Sequence, residues 1–381
     1  MGLSLTEPSP HRTRLTQPQR LVRVFSMVRY RFFLYAGLLP YLLGAAWAFA
    51  VVHAFDASLF WTGFGGVVLA VIGVEAFNEY FDARMGTDRV FNPADLPPMS
   101  DWVVWLGILA FAGALAVGVY LTVRGGWPIL AFALLGGMAA IFYVAPPIRW
   151  AYRGLGETVI ALSYGPWMVL GSLYLHARAV SWAAFLASLV PGFLIMALAV
   201  VNAIPDFHQD RLVGKRNLVV RVGRRRGVSL YIALATAGLA VAAAGVALGV
   251  FPLACLAALV AVPWLLASRR AALGTFETPH RFVPAIRAIV RCYLIAVTLF
   301  TADVSVGGFC AESMRVPPAG SAISGVISVG DKDVPFTGKV AWAKPGDARL
   351  NLRGRFGVRL DEPIPELSEL ASPAAGVRSG T

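Results

Sequence analysis

Residues 180–210 read VSWAAFLASLVPGFLIMALAVVNAIPDFHQD. The first part, 180–204, is an uncharged apolar run with the length that a helix needs to cross a bilayer. The run ends in two carboxylates, Asp206 and Asp210, close to Asn202. Because carboxylates beside hydrocarbon are costly, their presence at the end of such a helix indicates a functional site.

The whole chain is apolar: 57% of its residues are hydrophobic, only 14% are charged, and the mean hydropathy is +0.67. A charged fraction this far below the usual value of about 25% excludes an ordinary soluble domain. The apolar run after the basic N-terminus is too long for the core of a signal peptide, so we expect a retained helix. Apolar runs predict nine spans, near 32–55, 58–80, 102–123, 127–147, 155–176, 180–204, 228–249, 251–267 and 285–303.

This pattern predicts an all-α membrane protein with a polar basic segment at 1–24, a nine-helix domain at 25–303 and a tail at 304–381. With the N-terminus in the cytoplasm, the loops on that side hold twenty-one lysines and arginines, against Arg124 and Arg178 in the opposite loops. The bias places both acidic motifs on the cytoplasmic side, with a bacterial inner membrane as the expected location. It also accounts for the net charge of +12 without nucleic acid as a partner.

The tail differs in composition from the rest of the chain. Segments 322–330, 334–343 and 348–360 are predicted as strands, and residues 363–381 as disordered. The last strand alternates apolar with basic residues, as a half-buried strand does. The tail is either a small stabilising β-rich unit or a binding surface that uses its basic face.

Two acidic motifs are the candidate metal site. Asn78 and Asp82 are four residues apart, so that a helix places them on one face, and Asn202, Asp206 and Asp210 repeat this spacing. Asp88 follows the first motif and could close over a metal from the loop. Facing each other, these oxygen ligands could hold Mg²⁺ ions that bind a diphosphate. The alternative is that the acids face water at helix ends, paired with Arg84 or Arg211.

Basic residues follow the second motif at Lys215 and Arg216, where they could bind phosphate oxygens or only anchor the loop at the membrane surface. For residues 224–226 we favour anchoring. A third segment reads YVAPPIRW from Tyr143 and continues to Arg153 and Glu157. Tyr143 could face an allylic cation or serve as an interfacial anchor, and Arg149 and Arg153 are further candidates for phosphate binding.

At these three segments the chain resembles the UbiA superfamily of intramembrane prenyltransferases, and most of all the 1,4-dihydroxy-2-naphthoate polyprenyltransferase branch. The branch pattern Asn-Asp-Tyr-x-Asp-x-x-x-Gly-x-Asp is matched by Asn78, Tyr80, Asp82, Gly86 and Asp88, with Glu79 in place of Asp. Asp-x-x-x-Asp followed by Gly-Lys-x-Thr-Leu is matched by Asp206, Asp210, Gly214, Lys215 and Leu218, with Asn217 in place of Thr. The Tyr…Pro-Pro…Gly-Leu-Gly-Glu stretch is matched by the third segment.

The resemblance covers roughly residues 25–303 and implies nine helices around a central cavity. It implies that the two motifs hold Mg²⁺ and a diphosphate, that Asp82, Asp206 and Tyr143 are catalytic, and that Lys215 and Arg153 bind phosphate. The acceptor expected from the resemblance is an aromatic quinone precursor or, alternatively, a tetrapyrrole alcohol or glycerol phosphate lipid. From other classes, an ion-coupled secondary transporter and a membrane scaffold with vestigial acids stay open, although no acid lies in the middle of a span.

Overall fold

The computed structural model describes residues 31–52, 54–85, 101–303, 308–313, 317–318, 320–329, 332–344 and 354–361. The predictions made for 1–24 and 363–381 lie outside these residues. Eleven helices of more than three residues run through the described part of the chain: α1 Arg31–Ala50, α2 Ala57–Met85, α3 Trp102–Gly125, α4 Trp127–Ile141, α5 Gly156–Ala177, α6 Trp182–Ala203, α7 Phe207–Leu212, α8 Leu218–Val222, α9 Arg224–Ala247, α10 Leu253–Thr275 and α11 Val283–Asp303.

Seven helices of the described part are long and apolar enough to cross a membrane, namely α2, α3, α5, α6, α9, α10 and α11. The described apolar stretch of α1, Gly37–Ala50, is shorter, and so is α4. All nine predicted spans coincide with helices, but the count of nine crossings stays a prediction because these two fall short of a full span. The turn predicted between the seventh and eighth spans is present, since α9 ends at Ala247 and α10 begins at Leu253.

Helix α4 ends at Ile141, earlier than the predicted end at residue 147. The chain then folds back on itself: Trp150 N donates to Phe142 O at 3.0 Å, and Ala151 N donates to Tyr143 O at 3.0 Å. The two prolines of this loop, at 146 and 147, have no N–H to offer to a helix, which explains why the apolar run does not stay helical. The loop brings residues 143–153 to the start of α5.

Helix α6 lies in the centre of the helical domain. Within the 18-residue apolar stretch of α6, 67% of the residues are buried, against 22% in the corresponding stretches of α2 and α3. The core around it includes fully buried Leu194, Leu198 and Tyr231. The outer helices instead expose large apolar side chains, including Trp61 and Trp127. An apolar outer surface around a packed interior is what a lipid-facing bundle requires.

Helix α5 contains a π-turn at Ser163–Trp167, where Gly165 departs from helical geometry with φ −97° and ψ −105°. A side chain at Gly165 would meet Ser188 O and Gly192 Cα at 2.9 Å, so α5 and α6 approach backbone to backbone here. Small residues permit such close packing between membrane helices. The contact holds the first half of α5, which carries Glu157, against the central helix.

The tail forms a four-stranded antiparallel sheet with the order β1-β4-β3-β2. Its strands are β1 Gly308–Ser313, β2 Ala322–Val329, β3 Lys332–Lys344 and β4 Gly354–Leu360. The β-rich character of the tail is thus confirmed, and β1 is an addition to the predicted strands. Val340 and Val358 are paired across β3 and β4 and are both buried, which fixes the inner face of the sheet.

Candidate active site

The second acidic motif lies where the central helix ends. Pro205 follows the end of α6, and Asp206 adopts a turn conformation (φ −85°, ψ 2°) as the residue before α7. Asp206 O accepts a hydrogen bond of 2.8 Å from Asp210 N. Asn202 therefore lies on α6 and Asp210 on α7, with a break between them, so the predicted single helical stripe is interrupted. The proline explains the break, because it has no N–H to continue the helix.

Asp210 is the most enclosed acid of this motif, with 5% of its surface exposed. Asn217 Nδ2 donates to Asp210 Oδ2 at 2.6 Å, and Lys215 Nζ lies 3.7 Å from Asp210 Oδ1. Lys215 N also donates to Asp210 O at 2.9 Å. A buried carboxylate needs such partners to offset its lost hydration. The loop after the motif therefore closes onto Asp210 and brings a cation to it.

Tyr152 joins the third segment to this cluster. Lys215 Nζ lies 5.8 Å from the centre of the Tyr152 ring, and Arg149 Cζ lies 5.6 Å from it. Both distances are within the range of cation–π contacts. Arg149 Nε is buried and has no hydrogen-bond partner among the described residues. Two of the predicted phosphate-binding residues are thus brought to one aromatic ring.

Arg153 and Arg216, the other two candidates for phosphate binding, are exposed. Arg153 Nε donates to Ile148 O at 2.5 Å, and Arg153 O accepts a bond of 2.5 Å from Arg221 Nη2. Arg221 Nε also donates to Arg216 O at 2.9 Å. Arg221 therefore links the backbones of Arg153 and Arg216. The sequence predicted no role for Arg221 beyond the positive charge of its loop.

Glu157 is a second residue without an assigned role. It lies in the first turn of α5, is 3% exposed, and accepts a hydrogen bond of 2.9 Å from Leu218 N through Oε1. An acid at the start of a long apolar helix was the available signal, because burying a carboxylate is costly unless it is hydrogen-bonded or paired. Nearby, Tyr143 is half-buried and packs against the hydrophobic core.

The first motif is described only in part. Asn78 lies on α2 and is half-buried, and its Oδ1 atom is buried with no hydrogen-bond partner among the described residues. Asp82 is also on α2, but its side chain, like the whole of Asp88, lies outside the described residues. Arg84 pairs with Asp101 at 2.5 Å. Over the part of the chain that can be assessed, no three acidic, histidine or cysteine side chains form a metal-binding group.

Comparison with known proteins identifies the family. The sequence profile of the UbiA prenyltransferase family matches residues 37–291. The chain belongs to this family. The resemblance inferred from the three segments is thereby confirmed, and family membership together with the apolar helices makes the chain an integral membrane protein.

Two relatives within the UbiA family are 1,4-dihydroxy-2-naphthoate octaprenyltransferases. The chain is 31% identical to that of Mycobacterium tuberculosis over 54% of its own length and 73% of the relative's. It is 25% identical to that of Bacillus subtilis over 52% of its own length and 65% of the relative's, so it spans just under two thirds of that protein.

A solved structure of a UbiA homologue from Aeropyrum pernix, in its apo form, has a TM-score of 0.54 and is 18% identical, covering 71% of this chain and 96% of that one. The helical domain thus has the fold of the UbiA family.

Proposed function

We propose that the chain transfers an isoprenyl group from an isoprenyl diphosphate to an aromatic quinone precursor. The single observation that carries this proposal is the contact set of Asp210, Lys215 and Tyr152. An acid, Asp210, and a cation, Lys215, lie side by side beyond the end of the central helix. A further cation, Arg149, lies on the third segment and contacts the same Tyr152 ring as Lys215. A diphosphate bound through a metal needs both kinds of group, the acids for the metal and the cations for the phosphate oxygens.

The residues fit Mg²⁺ as the cofactor. Asn78, Asp82, Asp88, Asn202, Asp206 and Asp210 would hold it, and all of them offer the hard oxygen ligands that this ion prefers. The buried Oδ1 of Asn78, which has no hydrogen-bond partner among the described residues, supports the assignment because such an atom is costly without one. When bound, Mg²⁺ neutralises charge on the diphosphate and so makes it a better leaving group.

The protein's own groups have distinct tasks. Lys215 and Arg149 bind and orient the phosphate oxygens, with Arg153 and Arg216 on the exposed side of the same region. Tyr143 faces the allylic carbon, where its ring stabilises positive charge as the carbon–oxygen bond breaks. Apolar packing around Tyr143 excludes water that would otherwise capture the cation. The acceptor carbon then attacks and loses a proton to the medium.

The acceptor is proposed by analogy with the two relatives, whose names give 1,4-dihydroxy-2-naphthoate as the aromatic substrate. A glycerol phosphate lipid or a tetrapyrrole alcohol would use the same donor chemistry and is the second candidate. The positive loops favour a cytoplasmic site, with nine crossings of a bacterial inner membrane. Attaching a cysteine-reactive, membrane-impermeant label to Arg225→Cys and Ala179→Cys in intact cells tests this orientation. The background protein has its native Cys255, Cys292 and Cys310 replaced by Ala, and only Ala179→Cys should then react.

The deciding experiment uses purified full-length protein in lipid nanodiscs with isoprenyl diphosphates of several lengths. Acceptors are 1,4-dihydroxy-2-naphthoate, 4-hydroxybenzoate and a glycerol phosphate lipid. We expect Mg²⁺-dependent release of diphosphate and, by mass spectrometry, a prenylated naphthalene product that has lost either a proton or its carboxyl group as CO₂. Asp82→Ala and Asp206→Ala should each lower the rate by about 100-fold or more, whereas Glu277→Ala, at an exposed acid, should not. Wild-type protein that consumes no isoprenyl diphosphate would refute the proposal.

A further inference from the structure

Glu157 and Arg221 form two hydrogen bonds between the same pair of segments. Glu157 Oε1 accepts from Leu218 N, the first residue of α8, at 2.9 Å. Arg221, one turn further along α8, donates through Nη2 to Arg153 O at 2.5 Å. The bonds therefore lie on both sides of the Gly154-Leu155-Gly156 turn. We call this pair of contacts the α5–α8 clamp.

One side of the clamp carries the candidate diphosphate cation. Asn217 directly precedes Leu218, binds Asp210 at 2.6 Å and accepts from Val220 N at 2.8 Å through Oδ1. Lys215, two residues earlier, pairs with the same Asp210. Fixing Leu218 therefore fixes the loop from which Lys215 extends.

The other side of the clamp carries the aromatic ring. Tyr143 O accepts from Ala151 N at 3.0 Å, and a side chain at Gly156 would lie 3.2 Å from the Tyr143 ring. Gly156 is the residue directly before Glu157. The Tyr143 ring is thus packed against the turn that the clamp holds.

We propose that Glu157 and Arg221 are positioning residues that set the separation between Lys215 and Tyr143. This inference rests on the proposed function. When the carbon–oxygen bond breaks, the electron pair leaves with the diphosphate, and the allylic carbon becomes positive. If Lys215 and Tyr143 are held at the correct separation, the acceptor carbon forms the new bond and loses a proton. If they are displaced, water forms the bond instead, loses a proton and yields an isoprenyl alcohol.

Burial makes Glu157 suited to this role. A carboxylate that is 3% exposed is held in one place by its surroundings, so it is a firm anchor for the Leu218 N–H. Displacements of about 1 Å at a reacting centre can cost about 100-fold in rate. The clamp therefore acts on the partition between transfer and hydrolysis, a property that a residue needed only for folding would not change.

The test measures prenylated product formed per diphosphate released, together with the KM for the isoprenyl diphosphate. The variants are Glu157→Leu, Glu157→Gln and Arg221→Met, and the controls are Glu277→Gln and Arg225→Met at exposed positions. Glu157→Leu and Arg221→Met should lower the ratio by about 5-fold or more and release isoprenyl alcohol. Glu157→Gln keeps an acceptor for Leu218 N and should restore most of the ratio.

A wild-type ratio and KM in Glu157→Leu and Arg221→Met would overturn the clamp. Arg221 is exposed, so Arg221→Met keeps the proposal open to refutation if Glu157→Leu does not fold. Failure of the proposed function itself gives a different result, because wild-type protein would then release no diphosphate at all.

Discussion

Asn217 Nδ2 donates a hydrogen bond of 2.6 Å to Asp210 Oδ2, and both residues are buried. The other end of the same amide, Oδ1, accepts from Val220 N and caps helix α8. One side chain thus satisfies a buried acid and starts a helix. The family pattern has Thr at this position, and a hydroxyl could donate and accept in a similar way.

Asn217→Ala should destabilise the protein by about 2–3 kcal/mol, because it removes a hydrogen bond to a buried carboxylate and a helix cap. The midpoint of thermal unfolding in detergent measures the effect. Asn217→Thr is the matched control and should lose less stability. An Ala variant that unfolds at the wild-type temperature would contradict this account.

Tyr152→Leu should raise the KM for isoprenyl diphosphate by about 5- to 30-fold, because the cation–π contacts that hold Arg149 and Lys215 are lost. Tyr152→Phe retains the ring and should remain close to wild type. Tyr120→Leu is a control, since Tyr120 also lies near an arginine, Arg124 Cζ at 5.9 Å, but on α3, away from the candidate active site. Equal KM values for Tyr152→Leu and Tyr120→Leu would argue against the role of the ring.

Gly154→Ala should impair both stability and transfer. Gly154 has φ +73°, a conformation that costs other residues about 1–2 kcal/mol, and a side chain there would collide with the Arg221 guanidinium. Gly249 has φ +69° with nothing within 4 Å, so Gly249→Ala measures the conformational cost without the collision. Only Gly154→Ala should lower the ratio of product to released diphosphate. If both variants lower it equally, the collision is not the cause.

Removal of Mg²⁺ by a chelator should abolish diphosphate release, and adding Mg²⁺ back should restore it. Asp210→Asn should raise the Mg²⁺ concentration for half-maximal activity by about 10-fold or more. Rates measured across a Mg²⁺ titration provide the test, with Glu277→Gln as the control for loss of an acidic charge. Full activity in excess chelator would exclude the metal from the reaction.

The positions of the helices could be predicted from the sequence because apolar runs have a length that a bilayer imposes. The span expected at 180–204, for example, is the helix Trp182–Ala203. The end of α4 was predicted at residue 147 instead of Ile141 because the run stays apolar through its prolines, which cannot continue a helix. The strand Gly308–Ser313 was missed because it lacks regular alternation of apolar and polar residues.

The candidate site was harder to predict than the helices. The acids could be located because charge beside hydrocarbon is conspicuous. The Glu157–Leu218 and Arg153–Arg221 contacts join residues 61 and 68 positions apart, and no local period encodes such a pairing. The break at Pro205 showed in the sequence as a proline, yet the even four-residue spacing of Asn202, Asp206 and Asp210 favoured one unbroken helix.

The order of the strands bears on how the tail is made. Strand β1 precedes the other three in the chain, yet its partner in the sheet is β4, at the register Gly308 to Arg359. Forty residues, 314–353, separate the two strands. During synthesis the β2–β3 hairpin can therefore form early, while the backbone of β1 must wait for the last strand to leave the ribosome. Nascent chains stopped before Gly354 would carry an unpaired strand directly after the final apolar helix.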